Sequence, residues 1–281
     1  MQTPAPTQSR RDFLQQIAVL AAMGAFPFPA FAGLGEAVTV KMRTPEAQRS
    51  LNPALTDANF WAGATITKHQ NELYDEIRVK ALDSGYLLMI TGEGDQDFEA
   101  DAVVRTVFDH QDKLPRHMDG AKALPRLRLG NDSYAGVPSN DRYFLADLGL
   151  FYGEYFQRSY KVQLPDGRSV IAFEKIRDEW IDASTLARYK QKRDQVIEKA
   201  DLRSILGSVV EMTDAWGMFV VSPGTTRKSR VTCVAKIRFG DGTGMMAQLG
   251  SKMPGVLKAG LKSGFQASVA VAKGVSSGRY K

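Results

Sequence analysis

Two runs of alternating apolar residues meet at Pro223-Gly224, and a long amphipathic stretch follows them. Together they restrict the fold more than any other feature. From Val209 to Val221 the even positions Val210, Met212, Asp214, Trp216, Met218 and Val220 form one set. From Arg230 to Phe239 the odd positions Val231, Cys233, Ala235, Ile237 and Phe239 form the apolar set. Side chains alternate across a strand, so each run predicts a strand with a buried face, and the Pro-Gly turn predicts an antiparallel hairpin. Between Gly244 and Lys273, Met246, Leu249, Met253, Leu257, Leu261 and Phe265 then recur every three or four residues, the spacing of an apolar helix face. Gly250, Gly255, Gly260 and Gly264 interleave with that stripe, and each weakens a helix by up to about 1 kcal/mol relative to alanine. They predict close packing against a neighbouring layer, with a kink at Pro254.

The upstream chain supplies more strands. Tyr86–Thr91 is a short apolar run bounded by glycines and reads as a strand. In 100–109, Val103, Val104, Val107 and Phe108 fall at helical spacing, and the helix should end before Pro115. Leu127 and Leu129 alternate with arginines, which predicts a strand with one solvent face; 130–141 reads as turn-rich. Residues 143–164 read as one long alternating strand whose even positions are apolar except for Glu154 and Arg158. A turn at Pro165-Asp166-Gly167 returns the chain as a strand over 169–176. The charged segment 182–200 reads as a surface helix. Residues 33–58 read as an extended leader or a short helix, and 59–74 as helical or irregular.

This order predicts an α+β fold in which a curved antiparallel sheet wraps a long C-terminal helix, leaving an internal hydrophobic cavity. It resembles the START-like, or helix-grip, superfamily (SRPBCC), with relatives among birch-pollen allergens and polyketide cyclases. The residues carrying the resemblance are 109–117 (DHQDKLPRH), 214–221 (DAWGMFVV) and 253–258 (MPGVLK). It covers roughly residues 85–273, so 85–281 is expected to be one such domain with a helical insertion near 182–206 and 33–84 to be an N-terminal extension. The resemblance implies binding of a lipid, sterol or related hydrophobic ligand.

Candidate ligand-binding residues follow from polar groups on apolar faces and from the methionine-rich helix. Glu154 and Arg158 share a parity; as a pair they can hold a ligand hydroxyl or head group, or both can simply be solvated at a strand end. A buried charge is costly unless paired, which makes either arrangement informative. Asp214 stands between Met212 and Trp216 and is the second polar candidate. Trp216, Met218, Met246, Met253, Leu257 and Leu261 can line an adaptable cavity or serve as plain core. The alternative is a polyketide cyclase- or hydrolase-like enzyme acting on a hydrophobic substrate, with Asp214, Glu174 or His117 as its acid or base. The residues form no recognisable catalytic constellation, so no catalytic residue is assigned.

Cofactors and metals are not expected. Cys233 is the sole cysteine, so neither an intrachain disulfide nor a cysteine-based metal cluster is possible. His110 and His117 lie two helical turns apart, and a metal site needs a third ligand. The N-terminus carries an address. Ser9-Arg10-Arg11-Asp12-Phe13-Leu14 resembles the bacterial twin-arginine motif S-R-R-x-F-L-K, with Gln15 in place of the final lysine. An apolar run over 17–32 ends in Ala30-Phe31-Ala32, a small-x-small cleavage pattern. That run, about 16 residues with two prolines, is shorter than the roughly 20 needed to span a bilayer. Residues 1–32 are therefore expected to be a signal peptide cleaved after Ala32, with the folded protein delivered to the periplasm. Removing Arg10, Arg11 and Asp12 lowers the net charge of +6 by one. A mild basic excess permits transient contact with anionic membranes, and export argues against nucleic acid. The expected partner is a hydrophobic small molecule or lipid, bound by a monomer.

Overall fold

A computed structural model describes residues 42–68, 76–82, 85–97, 99–110, 113–114, 117, 127–134, 137–147, 152–163, 168–199, 209–223, 228–239 and 254–280. The chain enters as helix α1 (Pro45–Thr56) and a 3-10 turn (Ala58–Trp61), followed by strands β1 (Thr65–Lys68), β2 (Glu76–Leu82) and β3 (Gly85–Asp97). Helix α2 (Ala100–Phe108) leads to β4 (Leu127–Tyr134), β5 (Val137–Asp147), β6 (Tyr152–Gln163) and β7 (Ser169–Lys175). A second 3-10 turn (Asp178–Trp180) and helix α3 (Ala183–Lys199) precede β8 (Val209–Pro223), β9 (Lys228–Phe239) and the terminal helix α4 (Pro254–Ser276).

The strands form one nine-stranded sheet in the order β1-β2-β3-β9-β8-β7-β6-β5-β4, with every neighbouring pair antiparallel. The last strand, β9, thus pairs with β3 and joins the two halves of the chain. Both faces of the sheet are covered, which is why several strands bury residues of both parities. On the concave face lie α2 and α4: Val103, Val104 and Phe108 of α2 pack with Phe265, Val269 and Ala272 of α4. On the convex face α1 buries Ala47, Leu51, Ala54 and Leu55 against Leu87, Met89, Trp216 and Met218. Those four positions repeat every three or four residues, so α1 presents one apolar stripe to the sheet. Trp61 closes this layer, its indole Nε1 donating to the Ala54 carbonyl at 2.7 Å.

Two expectations are corrected. The predicted long strand over 143–164 is two antiparallel strands, β5 and β6, with Tyr143 opposite Phe156 and Phe144 opposite Tyr155. The hairpin exchanges parity: Phe144 lies on the concave face and Phe156 on the convex one. The predicted turn-rich stretch 130–141 is mostly strand, because it completes β4 and begins β5. The described part of α4 begins at Pro254, so the kink expected there depends on the residues before it. Residues 244–253 lie outside the described residues. Strands β1 and β2 belong to the same sheet as β3, although both precede residue 85.

The sheet also depends on one glycine. Gly217 sits on β8 beneath Phe173, and a Cβ there would meet the Val234 carbonyl oxygen at 2.3 Å and Ala235 Cα at 2.9 Å. Backbone atoms cannot step aside as a side-chain tip can. Gly217→Ala is expected to destabilise the fold by about 1–3 kcal/mol, the usual cost of overpacking a core, read as a lowered urea midpoint.

Candidate functional site

The candidate ligand region is the layer between the concave face and α4. Toward the C-terminal half of α4 this space is filled, since Phe265 and Val269 pack on Ile90, Ile171, Phe173 and Cys233. Burial raises the Cys233 thiol well above its ordinary range, which keeps it neutral and makes it part of the packing. Toward the N-terminal half the packing loosens. Leu257 is buried with Leu88, Tyr155, Met212 and Ala215, and around them Val79, Tyr86, Phe144, Val210, Ile237 and Leu261 are in contact yet partly exposed. These side chains face inward, beneath a helix, and still reach solvent. Lys258 ties this end of α4 to the sheet edge, its Nζ donating to Thr67 Oγ1 at 2.9 Å.

A polar strip adjoins the apolar cluster on the same face. Directly opposite pairs on β5 and β6 run Phe144/Tyr155, Arg142/Gln157 and Asn140/Ser159, from aromatic to polar. Tyr155 Oη donates to Gln157 Oε1 at 2.5 Å, and Gln157 Nε2 donates to Ser159 Oγ at 2.7 Å. Arg142 and Asn140 both donate to the Phe108 carbonyl at the end of α2, at 2.7 and 3.0 Å. This strip was missed in the sequence because 130–141 reads as turn, Arg142 precedes the strand read over 143–164, and Gln157 and Ser159 sit on the parity of that strand opposite to its apolar set.

Of the residues singled out from sequence, Leu257 and Leu261 lie at this site. Met246 and Met253 lie outside the described residues. Trp216 and Met218 are placed on the convex face, buried against α1. The reason is a bulge: Met212 opposes Phe239 while Asp214 opposes Arg238, so one extra residue, Thr213, switches the parity of β8. Met212 therefore faces inward with the concave cluster, and the even positions after it face outward.

Asp214 also lies on the convex side, 3.2 Å from the ammonium of Lys236. Lys236 is fully buried, bonds to Glu46 of α1 and lies 5.8 Å from the Trp216 ring centroid.

Glu154 and Arg158 do not pair with each other. Arg158 makes a two-pronged bond to Asp141, Nε–Oδ1 2.7 Å and NH2–Oδ2 2.6 Å, and this bond raises its pKa further. Tyr189 of α3 donates to the same carboxylate at 3.0 Å. Glu154 accepts from Tyr143 Oη and lies 4.0 Å from Arg193 of α3. Burial, then the bond to Glu154, hold the Tyr143 phenol far above its ordinary range. Both acids thus anchor α3 to the convex face, beside the apolar contacts of Tyr189 and Val196.

Glu174 is spent similarly: fully buried, it accepts from the Arg43 and Thr44 N–H groups, Thr44 Oγ1 and Tyr160 Oη at 2.7–3.0 Å. His117 bonds Tyr280 Oη at 2.9 Å, away from the concave cluster. Gly274-Val-Ser-Ser-Gly278 spells G-x-S-x-G, but it forms the end of a helix rather than a strand-to-helix turn, so its serine is not raised as a nucleophile. Among the described residues no group of three potential metal ligands converges.

The comparison with solved structures agrees with this geometry. Human StAR-related lipid transfer protein 5 superposes with a TM-score of 0.50 at 10% identity, over 84% of this chain and 98% of that one. The fold is the START-like helix-grip fold. The human StarD13 (DLC2) lipid transfer and protein localization domain matches with a TM-score of 0.47 and 13% identity, over 74% of this chain and 89% of that one. A STAR-related lipid transfer protein fragment from Xanthomonas axonopodis gives 0.44 and 14%, over 74% and 99%. No family model matches the sequence, and no curated protein matches it. No described helix of this helix-grip fold is long and apolar enough to cross a membrane.

Proposed function

We propose that this protein binds a hydrophobic ligand, a lipid, sterol or related molecule, between the concave face and α4, and transfers it between membranes in the periplasm. The observation that carries the reading is the set of inward-facing apolar side chains, Val79, Tyr86, Phe144, Val210, Ile237 and Leu261, that pack together but stay partly exposed. Apolar surface under a helix gains by being covered, at roughly 25 cal/mol per Å². The adjoining Arg142/Gln157 rung supplies the few polar groups that orient a guest in a mainly apolar site. The lipid-transfer proteins that share the fold support the same reading.

Protein purified from its host is expected to release a lipid on organic extraction, identified by mass spectrometry, and to take up labelled lipid from liposomes. Ile237→Trp with Leu261→Trp fills the partly exposed space and is expected to cut that uptake at least about tenfold, consistent with loss of a buried ligand contact surface. Empty protein that takes up nothing, or a double variant that loads normally, would defeat the proposal. The periplasmic setting rests on the Arg10-Arg11 motif and the cleavage pattern at Ala30-Phe31-Ala32. Replacing both arginines by lysine is expected to leave the uncleaved chain in the cytoplasm on fractionation; unchanged periplasmic delivery would show a different route.

A further inference from the structure

We propose that a hollow at the C-terminal end of α4 binds a phosphate-bearing ligand, at a site separate from the concave cluster. The hollow encloses about 470 Å³, and His117, Gln266, Lys273, Ser277 and Arg279 supply its polar lining over a floor that includes Val269. No described lining residue is a carboxylate. Leu257, at the concave cluster, is 16 positions before Lys273, roughly 24 Å along the helix axis at 1.5 Å per residue.

The cations converge from three places. Lys273 stands in the last turn of α4, where a lysine by itself complements the helix dipole. Arg279 and His117 lie outside the helix, so the dipole explains neither. Their positions are built by the chain folding back on itself. Gly278 adopts a φ of +73°, which glycine takes without strain, and the Tyr280 N–H then donates to the Gly274 carbonyl at 3.1 Å. The Tyr280 ring lies so close that a Cβ on Gly274 would meet it at 2.3 Å. Its hydroxyl bonds His117 Nε2 at 2.9 Å. Two glycines and one tyrosine therefore bring Arg279 and His117 to the same hollow as Lys273.

Neither Lys273 nor Arg279 has an ion-pair partner among the described residues. A guanidinium fork, an ammonium, an imidazole and the Gln266 amide around one opening match the several acceptor oxygens of a phosphate, while the Ser277 hydroxyl donates to the Gly274 carbonyl at 3.2 Å. The volume lies within the roughly 300–1,000 Å³ of small-molecule sites, so a phosphate ester fits better than a bare ion. The ester can be a lipid head group or a soluble metabolite.

The test uses the full chain, glycerol phosphate followed by calorimetry, and phosphatidylcholine vesicles with and without phosphatidic acid followed by co-sedimentation. Lys273→Gln with Arg279→Gln is expected to weaken phosphate binding by about tenfold or more, since it removes two charge-assisted contacts. Arg188→Gln with Lys192→Gln, an equal charge change on α3, is expected to leave it unchanged; circular dichroism checks that both fold. Retention that requires phosphatidic acid and falls in the first variant alone identifies a lipid head group as the source. Binding of glycerol phosphate with indifference to both vesicles identifies a soluble ester. The proposal is overturned if the unaltered protein binds neither probe, or if the two double variants lose binding equally.

Discussion

Replacing Glu174 by alanine is expected to lower the unfolding free energy by about 3–5 kcal/mol and to loosen α1 from the sheet. Glu174 is fully buried on the convex face, and its two oxygens receive the N–H groups of residues 43 and 44, the Thr44 hydroxyl and the Tyr160 hydroxyl. Thr44 is the residue before the first turn of α1, so the carboxylate satisfies donors that the helix start and the segment before it leave open. Truncation strands these donors away from water, and each buried donor without an acceptor costs about 1–3 kcal/mol. Glu174→Gln should fall between, because its amide keeps one acceptor oxygen. Urea unfolding gives the energies, and proteolysis within α1 reports its release. An unchanged midpoint for Glu174→Ala would mean that α1 is held by its apolar stripe alone.

A comparable loss, about 3–5 kcal/mol, is expected for Asp141→Ala, because Arg158 would then be left charged and buried. The carboxylate receives two bonds from Arg158 and one from Tyr189, and Arg158 is 7% exposed. The double change Asp141→Leu with Arg158→Met removes both charges together and should recover most of the stability, as apolar replacements of buried ion pairs commonly do. Measured as a double-mutant cycle, the two sites should show a coupling well above the few tenths of a kcal/mol of independent positions. Additive losses would show that the pair contributes nothing beyond its separate contacts. Since Tyr189 belongs to α3, Asp141→Ala should also expose that helix to protease before the sheet unfolds.

Elements with one clear period were legible in the sequence. The β8–β9 hairpin, the inward face of α2 at Val103, Val104 and Phe108, the charged helix α3 and the terminal helix were each readable from spacing. Strand facing was not. Because α1 and α3 cover the convex side, β6 and β8 bury residues of both parities, and alternation no longer says which side is which. Register offered a partial remedy. Trp216 lies directly opposite Lys236 and Gly217 opposite Ala235, so a hairpin count from the Pro-Gly turn assigns Trp216 to the face that carries Lys236, away from Ala235. The bulge at Thr213, which returns Met212 to the concave side, leaves no mark in the residue pattern. The acids posed a different problem: Glu154, Glu174 and Asp214 stood out as chemical candidates, but Thr44 lies 130 residues from Glu174, and Tyr143, Tyr160 and Lys236 meet their acids only through the register of paired neighbouring strands.

The pairing of β3 with β9 also has a bearing on timing during synthesis. The first three strands are complete by Asp97, yet β3 acquires its second neighbour only after the ribosome has produced residues 228–239. The clamp from Lys236 to Glu46 spans 190 residues, and Glu174 reaches back 131 to the Arg43 N–H. Contacts so far apart in sequence form late and slowly. Until then the nascent chain carries an open strand edge, which is prone to pair with other chains. A polypeptide with this topology cannot complete its core before β9 and α4 have been made, so its exposure to chaperones lasts at least until then.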